Sequence, residues 1–155
     1  MKKVATIIVT YNGERWINRC LNSVTRSSYH SDLFLVDNFS TDETLNLIKD
    51  FPLNLEKLNF NAGFGYANNV ALKKLMNSDY DYFFLINQDV YLEDNVLEKL
   101  LNFAEIHPEM GIIAPIQYDG EWKEIDANFK QYIKLSEEKI DFYETKFCNA
   151  AAWLI

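Results

Sequence analysis

The chain has 155 residues, a formal net charge of −8 and an apolar fraction of 48%. A length near 150 suits one domain that buries roughly 68–70% of its unfolded surface, so a sizeable core is feasible. The acidic balance excludes a general nucleic-acid binder, which needs a basic face for phosphates, but not a small phosphorylated ligand whose charge a bound metal offsets.

Val4 to Val9 is a short, almost continuously apolar run, the pattern of a strand buried on both faces of a parallel sheet. Trp16, Ile17, Cys20, Leu21 and Val24 follow at helical spacing, and Leu33 to Val36 is a second apolar run. Ser40-Thr41-Asp42-Glu43 matches a capping box, with Ser40 as N-cap and Glu43 reaching back, ahead of a helix through Leu45, Leu47 and Ile48. A weak third strand is expected at Leu55 to Leu58, then a helix over Gly63 to Met76 with Ala67, Val70, Ala71 and Leu75 inward. Tyr82 to Ile86 gives a fourth strand. Val96, Leu97, Leu100, Leu101 and Ala104 give a helix ended near His107-Pro108, and Ile112 to Ala114 a fifth strand stopped at Pro115. This alternation indicates an α/β fold with a mostly parallel sheet and helices on both faces.

After Pro115 the alternation stops, and Glu124 to Lys146 is polar with interspersed aromatics. Phe147 to Ile155 is an apolar run without a cap, expected to be a strand whose continuation has been removed. The whole chain, 1–155, is therefore expected to be a single truncated domain. Cys20 and Cys148 show no metal-ligand spacing and are read as reduced thiols of a cytosolic protein. The few uncharged residues after Lys3 are too short for a signal peptide, and no stretch approaches the roughly 20 apolar residues of a membrane span.

Ligands of open α/β sheets bind beyond the carboxyl ends of the strands. Four polar clusters should meet there: Thr10-Tyr11-Asn12, Asp37-Asn38, Asn61-Ala62-Gly63-Phe64-Gly65 and Asn87-Gln88-Asp89. No GxGxxG and no GxxxxGK[ST] follows the first strand, so a dinucleotide or P-loop phosphate cradle is not expected. Phosphate would instead be handled through a divalent cation at Asp89, since Mg2+ and Mn2+ favour carboxylate oxygen. Asp37 stands where an acid accepts hydrogen bonds from a base or ribose, and Tyr11 where a ring lies against a nucleobase. Each also has a plain structural use: Asp37 and Asp89 in turns, Tyr11 at a core edge, Gly63 and Gly65 for tight backbone, Asn68 and Asn69 as a solvated helix face.

Val9-Thr10-Tyr11-Asn12, Val36-Asp37-Asn38-Phe39-Ser40-Thr41-Asp42, Asn61-Ala62-Gly63-Phe64-Gly65 and Leu85-Ile86-Asn87-Gln88-Asp89-Val90, in that order, resemble the family 2 inverting glycosyltransferases of GT-A (Rossmann-like) fold, closest to their rhamnosyltransferase-like branch. The resemblance runs from about Ala5 to Ile155. It implies that Thr10, Tyr11, Asn12 and Asp37 hold the nucleoside, and that Asn61 and Gly63 lie on the donor-side loop. Asn87-Gln88-Asp89 takes the place of an Asp-x-Asp motif, with Asp89 the metal acid and Asn87 a neutral substitute for the first. Asn149 to Ile155 resembles the strand preceding an acceptor site. The family's base lies in an acidic motif downstream of that strand. Glu137-Glu138 is upstream, so no base is assigned, and the chain alone is expected to be inactive.

The resemblance further implies transfer of a sugar, rhamnose among the candidates, from a UDP- or dTDP-linked donor to a hydroxyl with inversion, in cell-surface polysaccharide synthesis. It implies Mg2+ or Mn2+ as cofactor, a nucleoside diphosphate sugar and a carbohydrate or lipid-linked acceptor as partners, and a cytoplasmic location, peripheral to the inner face of the membrane. The rival readings are a non-catalytic nucleotide-sugar-binding domain and a nucleotidyltransferase. The latter wants a glycine- and basic-rich loop, for which Asn12-Gly13-Glu14-Arg15 is a poor substitute.

Overall fold

The computed structural model describes residues 1–131, 142, 144, 145 and 147–155. In chain order the elements are β1 (Val4–Thr10), α1 (Ile17–Thr25), β2 (Asp32–Asp37), α2 (Thr44–Ile48), β3 (Asn54–Lys57), α3 (Phe64–Leu75), β4 (Tyr82–Asn87), α4 (Val96–Ile106), α5 (Ala127–Lys130) and β5 (Ala152–Leu154). They build one sheet of order β3-β2-β1-β4-β5. The first four strands pair in parallel, and β5 runs antiparallel to β4.

Every residue of β1 is buried, because the strand lies at the centre of the sheet with helices over both faces. Successive side chains point to opposite faces. Val4 and Ile8 join Leu33, Leu35, Phe84 and Ile86 beneath α1, α2 and α4, where Ile17, Cys20, Leu21, Ile48, Leu97 and Leu101 close the core. Ala5, Ile7 and Val9 face the other way, toward Ala67, Ala71 and Leu75 of α3. Burying each large apolar side chain contributes about 1.5–3 kcal/mol. The layers therefore fix which way the strand ends point.

Several expectations need correction. Ile112 to Ala114 is no strand of the parallel sheet. Only Ile113 pairs, as an isolated antiparallel bridge to Leu154. The apolar run marked a segment that packs, while its partner, β5, comes last in the chain and runs the other way. The terminal run is a strand only over Ala152–Leu154. The capping box does not form: α2 begins at Thr44, Ser40 Oγ accepts from the Asn12 N–H, and the Glu43 carboxylate takes the Asn46 side-chain amide. Cross-loop partners thus outcompete the local cap. Asn68 is buried rather than solvated, its Nδ2 donating to the Phe64 carbonyl, whereas Asn69 is exposed. Within the segment from Glu124, α5 is capped by Asp126, whose carboxylate accepts from the Phe129 N–H. Glu137-Glu138 lies outside the described residues.

Candidate functional site

Parallel pairing carries the strand exits to one edge. The register sets Thr10 opposite Asp37, Asp37 opposite Lys57, and Val9 opposite Asn87. The sheet order reverses at β1, where the chain turns back from β2 and β3 to β4. A crevice between β1 and β4 is where such a sheet takes a ligand. The loops after β1 and β4 flank it, and Asp37 and Asp89 stand at the same edge.

Hydrogen bonds join all four expected clusters. From β2, the Asn38 N–H donates to the Thr10 carbonyl at 2.7 Å. Asn38 Nδ2 donates to Asn61 Oδ1 at 2.9 Å, and Asn38 Oδ1 accepts from the Ala62 N–H at 2.8 Å. Asn61 Oδ1 also accepts from the Gly63 N–H at 3.1 Å. Gly63 sits at φ +83°, a conformation that glycine adopts freely, where α3 begins. Gly65 has no such constraint, so its plain backbone role is not required.

The loop after β1 is fastened on two sides. Toward β2, Asn12 N–H donates to Ser40 Oγ at 3.0 Å, Thr41 N–H to Asn12 Oδ1 at 2.9 Å, and Gly13 N–H to Thr44 Oγ1 at 2.7 Å. Asp42 anchors that side. Burial opposes its ionisation, but bonds from the Thr44 hydroxyl and from the Glu14 and Thr44 N–H groups outweigh it and hold the carboxyl below its usual range. Toward β4, the Gln88 side chain meets Thr10 and Tyr11. Gly13 lies so close that an added Cβ would stand 2.3 Å from Gln88 Oε1 and 2.7 Å from Thr10 Oγ1.

Asp37 is 2% exposed, and its carboxylate accepts the Ser40 N–H at 3.2–3.3 Å. That is the turn role. These contacts leave further lone pairs, since a carboxylate offers about four acceptor sites. Phe39 holds φ +74° with its ring 48% exposed. Such a conformation costs on the order of 1–3 kcal/mol for a bulky residue and clusters at functional sites. Tyr11 is 43% exposed, and its ring is available to a flat ligand.

Asp89 is exposed, whereas Asn87 Oδ1 is buried without a hydrogen-bond partner among the described residues. An orphaned amide oxygen beside a free carboxylate is a donor set that suits Mg2+ or Mn2+ bound together with substrate phosphates, and these residues fit the implied metal in that sense. No cluster of three or more His, Cys, Asp or Glu occurs among the described residues, so the fit is to a shared site and not to a preformed protein cage. Both residues line a cavity of about 390 Å³ shared with Tyr91, Gln117, Trp122 and Asn149, on the β5 side of Asp89. Beneath them, Cys20 Sγ donates to the Asn87 carbonyl at 3.6 Å, and its thiol is pushed up to about 12 by burial and by the charge of Asp89. A larger hollow, about 960 Å³, runs between α4 and residues 109–118 and is largely apolar, away from Tyr11 and Asp37.

The sequence pattern of glycosyl transferase family 2 matches residues 5–154. The chain belongs to that family. It is 31% identical over 115 residues, 69% of its length, to the poly(ribitol-phosphate) beta-N-acetylglucosaminyltransferase TarS of Staphylococcus aureus. It is 26% identical over 153 residues, 94% of its length, to the teichoic acid poly(glycerol phosphate) polymerase of Staphylococcus epidermidis. Each match spans 20% of the relative's own length. The crystal structure of S. aureus TarS 1–349 with UDP-GlcNAc superposes with a TM-score of 0.60 at 30% identity, covering 68% of this chain and 32% of that one. The mannosyltransferase PcManGT from Pyrobaculum calidifontis, with GDP-Man and Mn2+, shares the fold alone: TM-score 0.66 at 20% identity, over 75% of this chain and 36% of that one. The expected GT-A fold and membership of glycosyl transferase family 2 are thereby shown.

The sequence reading passed over Gln88, Gly13 and Asp42 as site residues. Gly13 was the available signal, since a glycine directly after a polar strand exit suggests close approach.

Proposed function

We propose that this chain is the donor-binding part of a glycosyltransferase that moves a sugar from a UDP- or dTDP-linked donor to a hydroxyl of a cell-surface polymer or its lipid-linked precursor. Convergence of Thr10, Tyr11, Asn12, Asp37, Asn61, Gly63, Asn87 and Asp89 at one sheet edge supports this reading. Tyr11 stacks on the base, Asp37 accepts from base or ribose, and the Asn61–Gly63 loop borders the donor. Asn87 and Asp89 hold the divalent ion. When bound, that ion supplies Lewis-acid neutralisation of the charge that builds on the diphosphate as it leaves.

The anomeric carbon then faces the cavity on the β5 side, which is open to an acceptor hydroxyl attacking with inversion. A neutral Asn87 in the first acid's place is the feature that favours the rhamnosyltransferase-like branch. No helix among the described residues is long and apolar enough to cross a membrane, and we place the reaction at the cytoplasmic face of one. We assign no general base among the described residues, and we propose that the chain binds donor without turnover by itself.

Titration calorimetry with UDP and dTDP, with and without Mn2+, tests the reading. Metal-dependent binding of either nucleotide supports it. A folded chain that binds neither at millimolar nucleotide contradicts it.

A further inference from the structure

Across the crevice, the loop after β1 and the loop after β4 are joined by the side chain of Gln88. Its Oε1 accepts from Thr10 Oγ1 at 2.7 Å and from the Tyr11 N–H at 3.0 Å, while its Nε2 donates to the Tyr11 carbonyl at 3.2 Å. The carboxamide therefore reads both backbone polar groups of Tyr11. Thr10 is fully buried, and Gly13 presses on the same oxygen so closely that no side chain fits between. Asp89 is the next residue along the chain.

We propose that Gln88 is a positioning residue that locks the loop after β1 to the loop after β4, holding Tyr11 and Asp89 in the fixed relation that lets one donor molecule engage both. The proposal rests on the donor-binding reading above. Its physical basis is the division of labour within one side chain. The lock needs an acceptor for Thr10 and the Tyr11 N–H, and beside it a donor for the Tyr11 carbonyl. A carboxamide offers both. A carboxylate in the same place sets a second acceptor against the Tyr11 carbonyl, and a thioether supplies no donor and only a weak acceptor. Asparagine is one methylene short. The β2 side of the same loop is held independently by Ser40 and Thr44. Loss of Gln88 therefore frees the loop toward β4 while Asp37 and its neighbours stay in place.

Gln88→Met and Gln88→Glu in the 155-residue chain test this. Hydrogen exchange at the Tyr11 amide reads the lock without ligand, and calorimetry with UDP, dTDP and their nucleosides, with Mn2+ and with chelator, reads its consequence. In Gln88→Met, Tyr11 exchange accelerates and the Mn2+-dependent gain of diphosphate over nucleoside falls about tenfold, the scale of a few neutral hydrogen bonds.

Gln88→Glu shows the same loss, because its carboxylate sets a second acceptor against the Tyr11 carbonyl. Parent-like binding and exchange in both variants overturn the proposal. So does an equal loss for nucleoside and diphosphate that tracks a lowered Tm, which marks a purely structural glutamine. If the parent chain binds no nucleotide, the donor-binding reading itself fails and takes the proposal with it.

Discussion

Asn38 and Asn61, 23 residues apart, share a 2.9 Å hydrogen bond from Nδ2 to Oδ1, and Asn38 Oδ1 in turn receives the Ala62 N–H at 2.8 Å. One buried side chain thus ties the exit of β2 to the loop that opens α3. Asn38→Ala removes two part-buried hydrogen bonds, each contributing about 0.5–1.5 kcal/mol. The expected outcome is a lowered urea midpoint with unchanged slope, together with faster amide exchange at Ala62. An unchanged Ala62 amide would show that the link does not hold the loop.

Gly13 faces Gln88 Oε1 and Thr10 Oγ1 at distances no Cβ tolerates. Gly13→Ala must separate the β1 loop from the Gln88 carboxamide, whichever of the two moves, and overpacking of this kind costs about 1–3 kcal/mol. Thermal unfolding checks the stability loss. Donor binding should weaken in parallel, whereas Gly65→Ala, with open space at the added Cβ, should leave donor binding unchanged.

Cys20 and Cys148 are both free, but only Cys148 is partly exposed. A thiol reagent should label Cys148 first and reach Cys20 only on unfolding. The pH effect has a definite sign. Burial, then the charge of Asp89, pushes the Cys20 thiol from 9.0 up to about 12, so the folded chain keeps a proton that the unfolded chain releases. The resulting stabilisation is complete below pH 9.0 and is lost as pH rises toward about 12. Cys20→Ala should flatten that alkaline decline in Tm relative to the parent. An equally steep decline would show that Cys20 is not its source.

How much was legible from sequence depended on where each residue's partners lie. Val4 to Val9, Tyr82 to Ile86 and Val96 to Ala104 are governed by their own periodicity, and the structure places them as read. The polar exits of β1, β2 and β4 follow from strand direction alone, so their convergence was legible too. The Ser40–Glu43 cap was not, because Ser40 is claimed by Asn12, 28 residues away. The run at Ile112 misled because apolar composition does not reveal orientation, and its one partner is Leu154. Gln88 was hidden for the same reason: its partners are Thr10 and Tyr11, 78 and 77 residues upstream.

Asn87 Oδ1 is buried without a partner among the described residues, which gives Asn87→Asp two opposite expected effects. Without metal, an unpaired buried carboxylate lowers Tm. With Mn2+, the second acid restores an Asp-x-Asp pair and tightens metal-dependent nucleotide binding on the order of tenfold or more. Melting curves with and without Mn2+ should therefore cross over relative to the parent. A variant indifferent to Mn2+ would place the ion elsewhere.

The central claim, that Asp37 holds the nucleoside and Asp89 the metal, is tested most directly by measuring nucleoside and nucleoside diphosphate binding to Asp37→Ala and Asp89→Ala, each with Mn2+ and with chelator. Asp37→Ala should weaken both ligands whether or not metal is present, by about 1.5–3 kcal/mol for a lost hydrogen bond to a charged group. Asp89→Ala should abolish the metal's enhancement of diphosphate binding and leave nucleoside affinity almost unchanged, because the ion touches phosphates and not the base. Equal affinities in both variants, with only a small drop in Tm, would make both acids turn residues. A full metal effect in Asp89→Ala would remove Asp89 as the ligand and contradict the account at its centre.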